Sequence, residues 1–313
     1  MINILRYPYF YDIILSEFGR VASIEYLQSV CKLEQSIIQR HFLDKDSTFY
    51  DEYRRIMFVL IADTGYFKKR QIEAVVPKGK IDSDILIGIK GQPLPDDMRD
   101  RITLAFLEQV YLALNRGHKN IRIIIPCNTI SPIGHHIYSL ITNPQEFKAV
   151  MTKHCGISSS SSVFSRVQDA KFSLYTPPTL VIDEIRKTQK DKVSILVFGT
   201  PFTVQIYKDH IIKLGLENQL IVLPLTPEEQ ELSNQVISSS IACDAALSGS
   251  ITEKIRNNVI LPRQKNADNL IVIEACTDIR LGLGINSLDV LIARAVNDVY
   301  GIDGSAKIND KNI

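Results

Sequence analysis

Short runs of apolar residues, many of them β-branched, alternate along the chain with longer segments whose apolar positions recur at helical spacing. The apolar runs predict strands at 56–62, 121–125, 193–198, 220–225 and 270–273. The longer segments predict helices at 99–115, 179–189, 203–214, 227–247 and 288–299. Continuous Ile, Val and Leu runs separated by helices are typical of parallel strands that are covered on both faces. We therefore predict an α/β fold that contains two parallel-sheet units.

Between the two predicted units lies a stretch, 143–177, in which no period is evident. It contains the serine run 158–162 and the sequence Thr176-Pro177-Pro178, a composition that is typical of surface loops and linkers. We predict an insertion or linker here, with a lid over a binding site as the alternative. The predicted first domain comprises 1–172 together with 285–313, and the predicted second domain comprises 173–284.

The charge balance excludes several classes of function. Lysine and arginine total 36 against 35 aspartate and glutamate residues, which gives a net charge of +1. Such a balance provides no electrostatic footprint for nucleic acid or for an anionic membrane surface. A small anionic substrate remains compatible with it, because such a ligand needs only one or two local charges.

The terminus and the cysteines bear on the cellular compartment. Residues 1–8 lack the basic and apolar regions of a signal peptide, and no apolar run approaches the ~20 residues that a membrane span needs. The five cysteines stand at 31, 127, 155, 243 and 276. Their odd number, wide spacing and lack of a C-x-x-C motif argue against a disulfide framework or a zinc site. We therefore expect reduced thiols and a cytoplasmic protein.

One local arrangement occurs twice along the chain. In the first copy, Ile123–Pro126 leads into Cys127-Asn128-Thr129, and in the second, Ile271–Ala275 leads into Cys276-Thr277-Asp278. In open parallel sheets, ligands bind beyond the carboxyl ends of the strands. Two cysteines at two such ends, one from each unit, could therefore face each other across a cleft.

A pair of thiols in this position suits proton transfer. Free cysteine has a pKa of about 8.5, so modest tuning provides a thiolate at neutral pH. A thiolate on one side of a carbon could remove a proton while a thiol on the other side returns one, with helix N-termini holding a carboxylate. The alternative is that a free cysteine is a small buried hydrophobe. We adopt that interpretation for Cys31, Cys155 and Cys243.

A third feature is the sequence Gly199-Thr200-Pro201-Phe202-Thr203, which follows the strand predicted at 193–198. One of its threonines is expected to be an ordinary helix N-cap. The other could hydrogen-bond to a ligand, so this motif by itself indicates a helix start at least as well as a binding site.

Taken in order, these motifs resemble the aspartate/glutamate racemase superfamily, whose members racemise amino acids without pyridoxal phosphate, and within it the aspartate racemase branch. The resemblance covers most of the chain, with 143–177 as the main additional piece. The segments that carry it are Phe18–Leu27, Pro126–Thr129, Gly199–Val204, Ala275–Asp278 and Ser287–Asp289.

The resemblance implies two pseudo-symmetric, flavodoxin-like domains with the active site in the cleft between them. It implies that Cys127 and Cys276 are the acid and base of a 1,1-proton transfer on an amino acid, with aspartate or glutamate as the default substrate. Arg70 is the candidate for the distal carboxylate, and no metal or organic cofactor is expected. Members of this family are often dimers, so a homodimer is among the expectations. The residues implied to bind the α-carboxylate and the amino group are Asn128, Thr129, Thr200, Thr203 and Thr277.

Two other functions stay open at this stage. The segment Ser16–Arg20 keeps a single glycine, Gly19, where the family's opening turn holds two or three. This difference and the predicted insertion at 143–177 favour a catalytically inactive relative that binds a ligand or a partner. The other alternative is a related cysteine isomerase that acts on a dicarboxylate, although two retained cysteines favour racemisation.

Overall fold

The structure of the protein is a computed structural model. It describes residues 10–15, 20–41, 55–60, 96–189, 191–241, 244–265, 267, 269–276, 279, 281–282 and 284–300.

The first half of the described chain forms a four-stranded parallel sheet with the strand order β2-β1-β3-β4. Its strands are β1 Phe10–Leu15, β2 Arg55–Leu60, β3 Asn120–Ile124 and β4 Lys171–Tyr175. The helices of this half are α1 Arg20–His41, α2 Asp96–Asn115, α3 Ser131–Thr142, α4 Pro144–Cys155 and α5 Val163–Arg166. Buried side chains of α2, α3 and α4 form one continuous core with the sheet.

The second half forms another four-stranded parallel sheet, with the order β6-β5-β7-β8. Its strands are β5 Val193–Phe198, β6 Leu220–Leu223, β7 Leu270–Glu274 and β8 Ile285–Asn286. The helices here are α6 Pro177–Thr188, α7 Pro201–Lys213, α8 Pro227–Ile241, α9 Ala245–Ile255, α10 Leu261–Lys265 and α11 Ser287–Tyr300, with a π-helical turn at Arg256–Ile260. Separate buried clusters lie on the two faces of this sheet.

These elements confirm the predicted α/β fold with two parallel sheets. Each strand predicted from an apolar run overlaps an observed strand, β2, β3, β5, β6 or β7. The single helix predicted at 227–247 is wrong, because α8 ends at Ile241 and a new helix begins beyond Asp244. The Asp244 carboxylate caps α9 by accepting a hydrogen bond from the backbone N–H of Leu247 at 3.0 Å.

The expectation of an irregular linker over 143–177 is also wrong in its local structure, since α4, α5 and β4 occupy most of this stretch. Asn143 starts α4 by accepting hydrogen bonds from the backbone N–H groups of the two residues that follow Pro144. Phe147 and Met151 on α4 are fully buried in the core of the first half. Burial of these apolar side chains, together with the pairing of β4 with β3, makes the stretch part of the first unit's core.

The last helix joins the two halves. It follows β8 of the second sheet, yet its apolar side chains pack with α1 and with Ile14 and Ile124 of the first sheet. Arg122 on β3 forms a buried ion pair with Asp12, its neighbour on β1, and the two nitrogen–oxygen distances are 2.6 Å. The third guanidinium nitrogen donates to the carbonyl of Ala295 on α11 at 2.7 Å. The division into domains at 172 and 285 stays a prediction.

The two sheets share one relative strand order, in which the first strand lies between the second and the third. The direction of the chain's progress across the sheet therefore reverses between β1 and β3, and again between β5 and β7. In open parallel sheets the crevice at such a reversal, outside the carboxyl ends of the strands, is where ligands bind. Within the described ranges, no helix combines the length and the apolar character needed to cross a membrane.

Candidate functional site

Both candidate cysteines follow the third strand of their own sheet. Cys127 comes shortly after β3, whose pairing continues through the backbone hydrogen bond from Ile125 to the Tyr175 carbonyl at 3.0 Å. Cys276 comes shortly after β7, whose pairing continues from Ala275 to the Phe198 carbonyl at 2.8 Å. Each cysteine is half-buried and packs against the core of its own half. The two thiols therefore stand at equivalent positions, next to the reversal points of the two sheets.

Three predicted binding residues form a continuous chain of hydroxyl groups. The Thr129 hydroxyl, after β3, lies 3.3 Å from the Thr203 hydroxyl on α7. The Thr203 hydroxyl lies in turn 2.9 Å from the Thr200 hydroxyl, after β5. Thr200 and Thr203 are 5% and 1% exposed, so their hydroxyl groups are shielded from solvent, whereas Thr129 is half-buried. The motif that follows the first sheet and the motif that follows the second are therefore in direct contact.

Thr200 also has the structural role that its position predicted. Its side chain accepts a hydrogen bond from the backbone N–H of Thr203 at 3.1 Å and caps α7. The preceding carbonyl, that of Gly199, accepts from the Gln230 amide and from the Ser233 hydroxyl, both at 2.9 Å. A Cβ at Gly199 would lie 3.2 Å from side-chain atoms of Thr203. Glycine thus permits the close packing of this turn against the start of α7.

Asn128 lies in a buried ring of hydrogen bonds. Its side-chain oxygen accepts from the Tyr207 hydroxyl at 3.0 Å, and its side-chain nitrogen donates to the Ser287 hydroxyl at 2.9 Å. The Ser287 and Tyr207 hydroxyl groups are also hydrogen-bonded to each other. Burial raises the pKa of Tyr207 and the Ser287 hydrogen bond lowers it, with a net rise, so the phenol stays protonated and can donate. One acceptor and one donor position of the Asn128 amide, half of its hydrogen-bonding capacity, are therefore used inside the protein.

Glu274, the last residue of β7, organises the chain around Cys276. Its buried carboxylate accepts from the backbone N–H of Gly282 at 2.9 Å and from the Asn286 side chain at 3.2 Å. The same Asn286 nitrogen lies 3.3 Å from the carbonyl of Ile279. These bonds tie the segment that follows Cys276 back to the end of β7.

Arg256 holds the same segment from the other side. It stands at the start of the π-helical turn and donates two hydrogen bonds to the Leu281 carbonyl, at 2.5 and 3.2 Å. A Cβ at Gly284 would lie 2.4 Å from the Val272 carbonyl oxygen, so only glycine fits this approach to β7. Such π-helical turns are frequent near functional sites.

The other described cysteines lack this setting. The interpretation of Cys31 as a buried hydrophobe is wrong, because its side chain is exposed. Cys155 is half-buried at the end of α4, and Cys243 lies outside the described residues. Burial raises the pKa of the Cys155 thiol, and the nearby Glu108 carboxylate raises it further. A thiol with a raised pKa is a poor nucleophile and base at neutral pH. This agrees with the interpretation that Cys155 is structural.

Two histidines face each other between the halves of the molecule. His135 on α3 and His210 on α7 have ring centroids 6.2 Å apart. Burial lowers the pKa of both side chains, and each is lowered further by Lys213. For His210 the Asp183 carboxylate opposes this effect without reversing it. Both imidazoles are therefore expected to be neutral at pH 7.

Sequence reasoning did not identify Tyr207, Glu274 or Asn286. Glu274 carries the one available signal, a carboxylate at the end of an otherwise apolar strand, because a buried charge requires nearby donors. The predicted residues Arg70 and Thr277 lie outside the described residues. In the part of the chain that the structure describes, no three His, Cys, Asp or Glu side chains are grouped so that they could hold a metal ion.

Comparison with known proteins leaves the family open. No model of a known protein family matches the chain. No curated protein matches its sequence either.

Proposed function

We propose that the protein is a cofactor-independent amino-acid racemase in which Cys127 and Cys276 exchange one proton with the α-carbon of the substrate. The observation that carries this proposal is the contact of Thr129 with Thr203, because it joins the two cysteine-bearing ends of the halves. The equivalent positions of the two cysteines in sheets of the same strand order support it further.

In the proposed mechanism, one cysteine is a thiolate and removes the α-proton, while the other is a thiol and protonates the opposite face. The net change is inversion at the carbon, and the reverse reaction exchanges the two roles. As the proton leaves, negative charge moves onto the substrate carboxylate, where fixed hydrogen-bond donors would stabilise it. Thr129, Thr200 and Thr203 are the hydroxyl groups that we assign to this role.

The start of α3 is the proposed position of the α-carboxylate. This helix begins directly after the Cys127–Thr129 motif, and among the described side chains none caps it. The start of α7, by contrast, is capped by Thr200. The backbone N–H groups of Ser131 and Ile133 donate to the Asn128 and Ile130 carbonyls, and position 132 is a proline. The helix dipole is therefore the feature that favours an anion at this end.

The finer architecture is part of the proposal. We infer that the two sheets belong to two pseudo-symmetric, flavodoxin-like domains with the substrate between them. Aspartate or glutamate is the proposed substrate, and Arg70 is proposed to bind its distal carboxylate. Their selection rests on the resemblance described above.

The test is incorporation of deuterium from D2O at the α-carbon of each enantiomer of a panel of amino acids, beginning with aspartate and glutamate. We expect both enantiomers of one amino acid to exchange and to interconvert without added metal or pyridoxal phosphate. The absence of exchange across the whole panel would contradict the proposal.

A second candidate is a ligand-binding relative without catalysis. It is favoured by the ring around Asn128, because bonds within the protein already use half of the hydrogen-bonding positions of this side chain. Saturable thermal stabilisation by one amino acid or dicarboxylate, without α-deuterium exchange, would support this candidate.

A further inference from the structure

We propose that Asn286 and Ser287, at the junction of β8 and α11, are positioning residues, and that each controls one cysteine of the candidate site. Ser287 would set the position of Cys127, and Asn286 would set the position of Cys276. The catalytic part of this inference rests on the proposed racemase function, whereas the structural part can be tested without it.

Ser287 reaches the Cys127 motif directly. Its hydroxyl is fully buried and accepts from the side chain of Asn128, the residue next to Cys127, at 2.9 Å. Tyr207 closes the ring by donating to the same amide at 3.0 Å. Removal of the Ser287 hydroxyl would leave a buried amide donor without this partner, which is costly enough to favour a shift of the chain around it.

Asn286, the other residue of this junction, contacts the segment around Cys276. Its side-chain nitrogen lies 3.2 Å from a Glu274 carboxylate oxygen and 3.3 Å from the Ile279 carbonyl. These two residues flank Cys276 on either side in sequence. Asn286 is 7% exposed, so solvent offers little replacement for bonds that are lost.

Asn286 also fixes where α11 begins. Its side-chain oxygen accepts from the backbone N–H groups of Leu288 at 3.0 Å and Asp289 at 3.3 Å. Since α11 packs on the first sheet while β8 belongs to the second, this junction is tied to both halves. Two adjacent residues therefore connect the two cysteine motifs through one rigid helix start.

Asn286 bonds to Glu274 through its side-chain nitrogen and caps α11 through its side-chain oxygen, and one substitution separates these two roles. Asn286→Asp keeps the oxygen that caps α11 but replaces the donor that faces Glu274 with a second carboxylate oxygen. Adding Glu274→Gln to the same chain would place an amide donor opposite the carboxylate introduced at position 286, and it would remove one of the two buried charges. The double variant is therefore the expected rescue of the Asn286→Asp variant.

The experiment measures the alkylation rate of each cysteine with iodoacetamide by peptide mass spectrometry, in the full chain. Exposed Cys31 is the internal reference. Ser287→Ala is expected to accelerate alkylation of Cys127 about fivefold, the effect of one lost hydrogen bond on local opening, with little change at Cys276. Asn286→Asp is expected to accelerate alkylation of Cys276 by a similar factor, with little change at Cys127. Adding Glu274→Gln is expected to reverse part of that acceleration, because it restores a hydrogen bond between positions 274 and 286 but not the one to the Ile279 carbonyl.

Two further variants provide the controls. Tyr207→Phe breaks the Asn128 ring from another side and is expected to match Ser287→Ala. Ser239→Ala removes a similarly buried serine hydroxyl, which donates to the Val236 carbonyl at 2.9 Å within α8, and should change neither cysteine. Equal acceleration at both cysteines in each variant, or none in any variant, would overturn the assignment.

Deuterium exchange adds a readout that general destabilisation would not produce. Ser287→Ala is expected to slow exchange mainly for one enantiomer, and Asn286→Asp mainly for the other. Equal slowing of both enantiomers would contradict separate positioning. If the unaltered protein incorporates no deuterium into any substrate, the proposed racemase function fails. The alkylation rates then still decide whether Asn286 and Ser287 position the two cysteines.

Discussion

Thr203→Val removes the central hydroxyl of the threonine chain without changing the shape of the side chain. Thr203 is 1% exposed, and its hydroxyl lies 2.9 Å from Thr200 and 3.3 Å from Thr129. A typical internal hydrogen bond contributes about 0.5–1.5 kcal/mol net, and the longer contact belongs at the low end of that range. We therefore expect the free energy of unfolding to fall by about 1–2 kcal/mol.

The assay is urea denaturation of the variant and of the unaltered protein, combined with the α-deuterium exchange rate. Thr103→Val is the matched control, because the buried Thr103 hydroxyl has no hydrogen-bond partner within the described part of the chain. The same chemical change there removes no bond and is expected to be neutral or slightly stabilising. Unchanged stability and unchanged exchange in Thr203→Val would refute a contact between the two motifs through this hydroxyl.

Two further predictions concern the fold. Asp12→Ala leaves the 1%-exposed Arg122 guanidinium without its carboxylate, and loss of one partner of a buried pair is expected to cost about 3–5 kcal/mol in urea denaturation; a cost below about 1 kcal/mol would contradict this. Because burial holds the pKa of His135 and His210 below the ordinary value of 6.5, the unfolded chain binds protons first as pH falls. Their contribution to stability is therefore complete above pH 6.5 and lost as pH falls below it. The midpoint temperature of thermal unfolding should therefore fall as the pH is lowered below 6.5, and it should fall less steeply in the His210→Asn variant. Equal pH dependence of the midpoint in the variant and in the unaltered protein would be inconsistent with this assignment.

The sequence predicted the strands that are continuous apolar runs, and it missed the others for a physical reason. β1 contains Asp12, which interrupts an apolar pattern, and it is buried only because Arg122 on β3 neutralises it. β4 begins with an exposed lysine, and β8 has only two residues. Such strands are determined by their partners in the sheet, which periodicity along one segment does not reveal.

The candidate site likewise contains some residues that the sequence predicts and others that it does not. Of the five residues predicted to bind the α-carboxylate and the amino group, the structure brings the side chains of Thr129, Thr200 and Thr203 together. Asn128 bonds to Tyr207 and Ser287 instead, and Thr277 lies outside the described residues. Tyr207 and Asn286 could not be predicted, because their roles arise from contacts with Asn128 and Glu274 that depend on helix packing between the halves. Local motifs thus identify residues that stand at strand ends, whereas the residues that hold those ends in place are defined by tertiary structure.

The most direct test of two-base proton transfer is α-deuterium incorporation measured separately for the two enantiomers in Cys127→Ser and Cys276→Ser. Each variant is expected to lose racemisation, because the face that has lost its thiol can no longer be protonated or deprotonated. Residual exchange should be confined to one enantiomer in the first variant and to the opposite enantiomer in the second. Complete racemisation by the Cys276→Ser variant would contradict the mechanism.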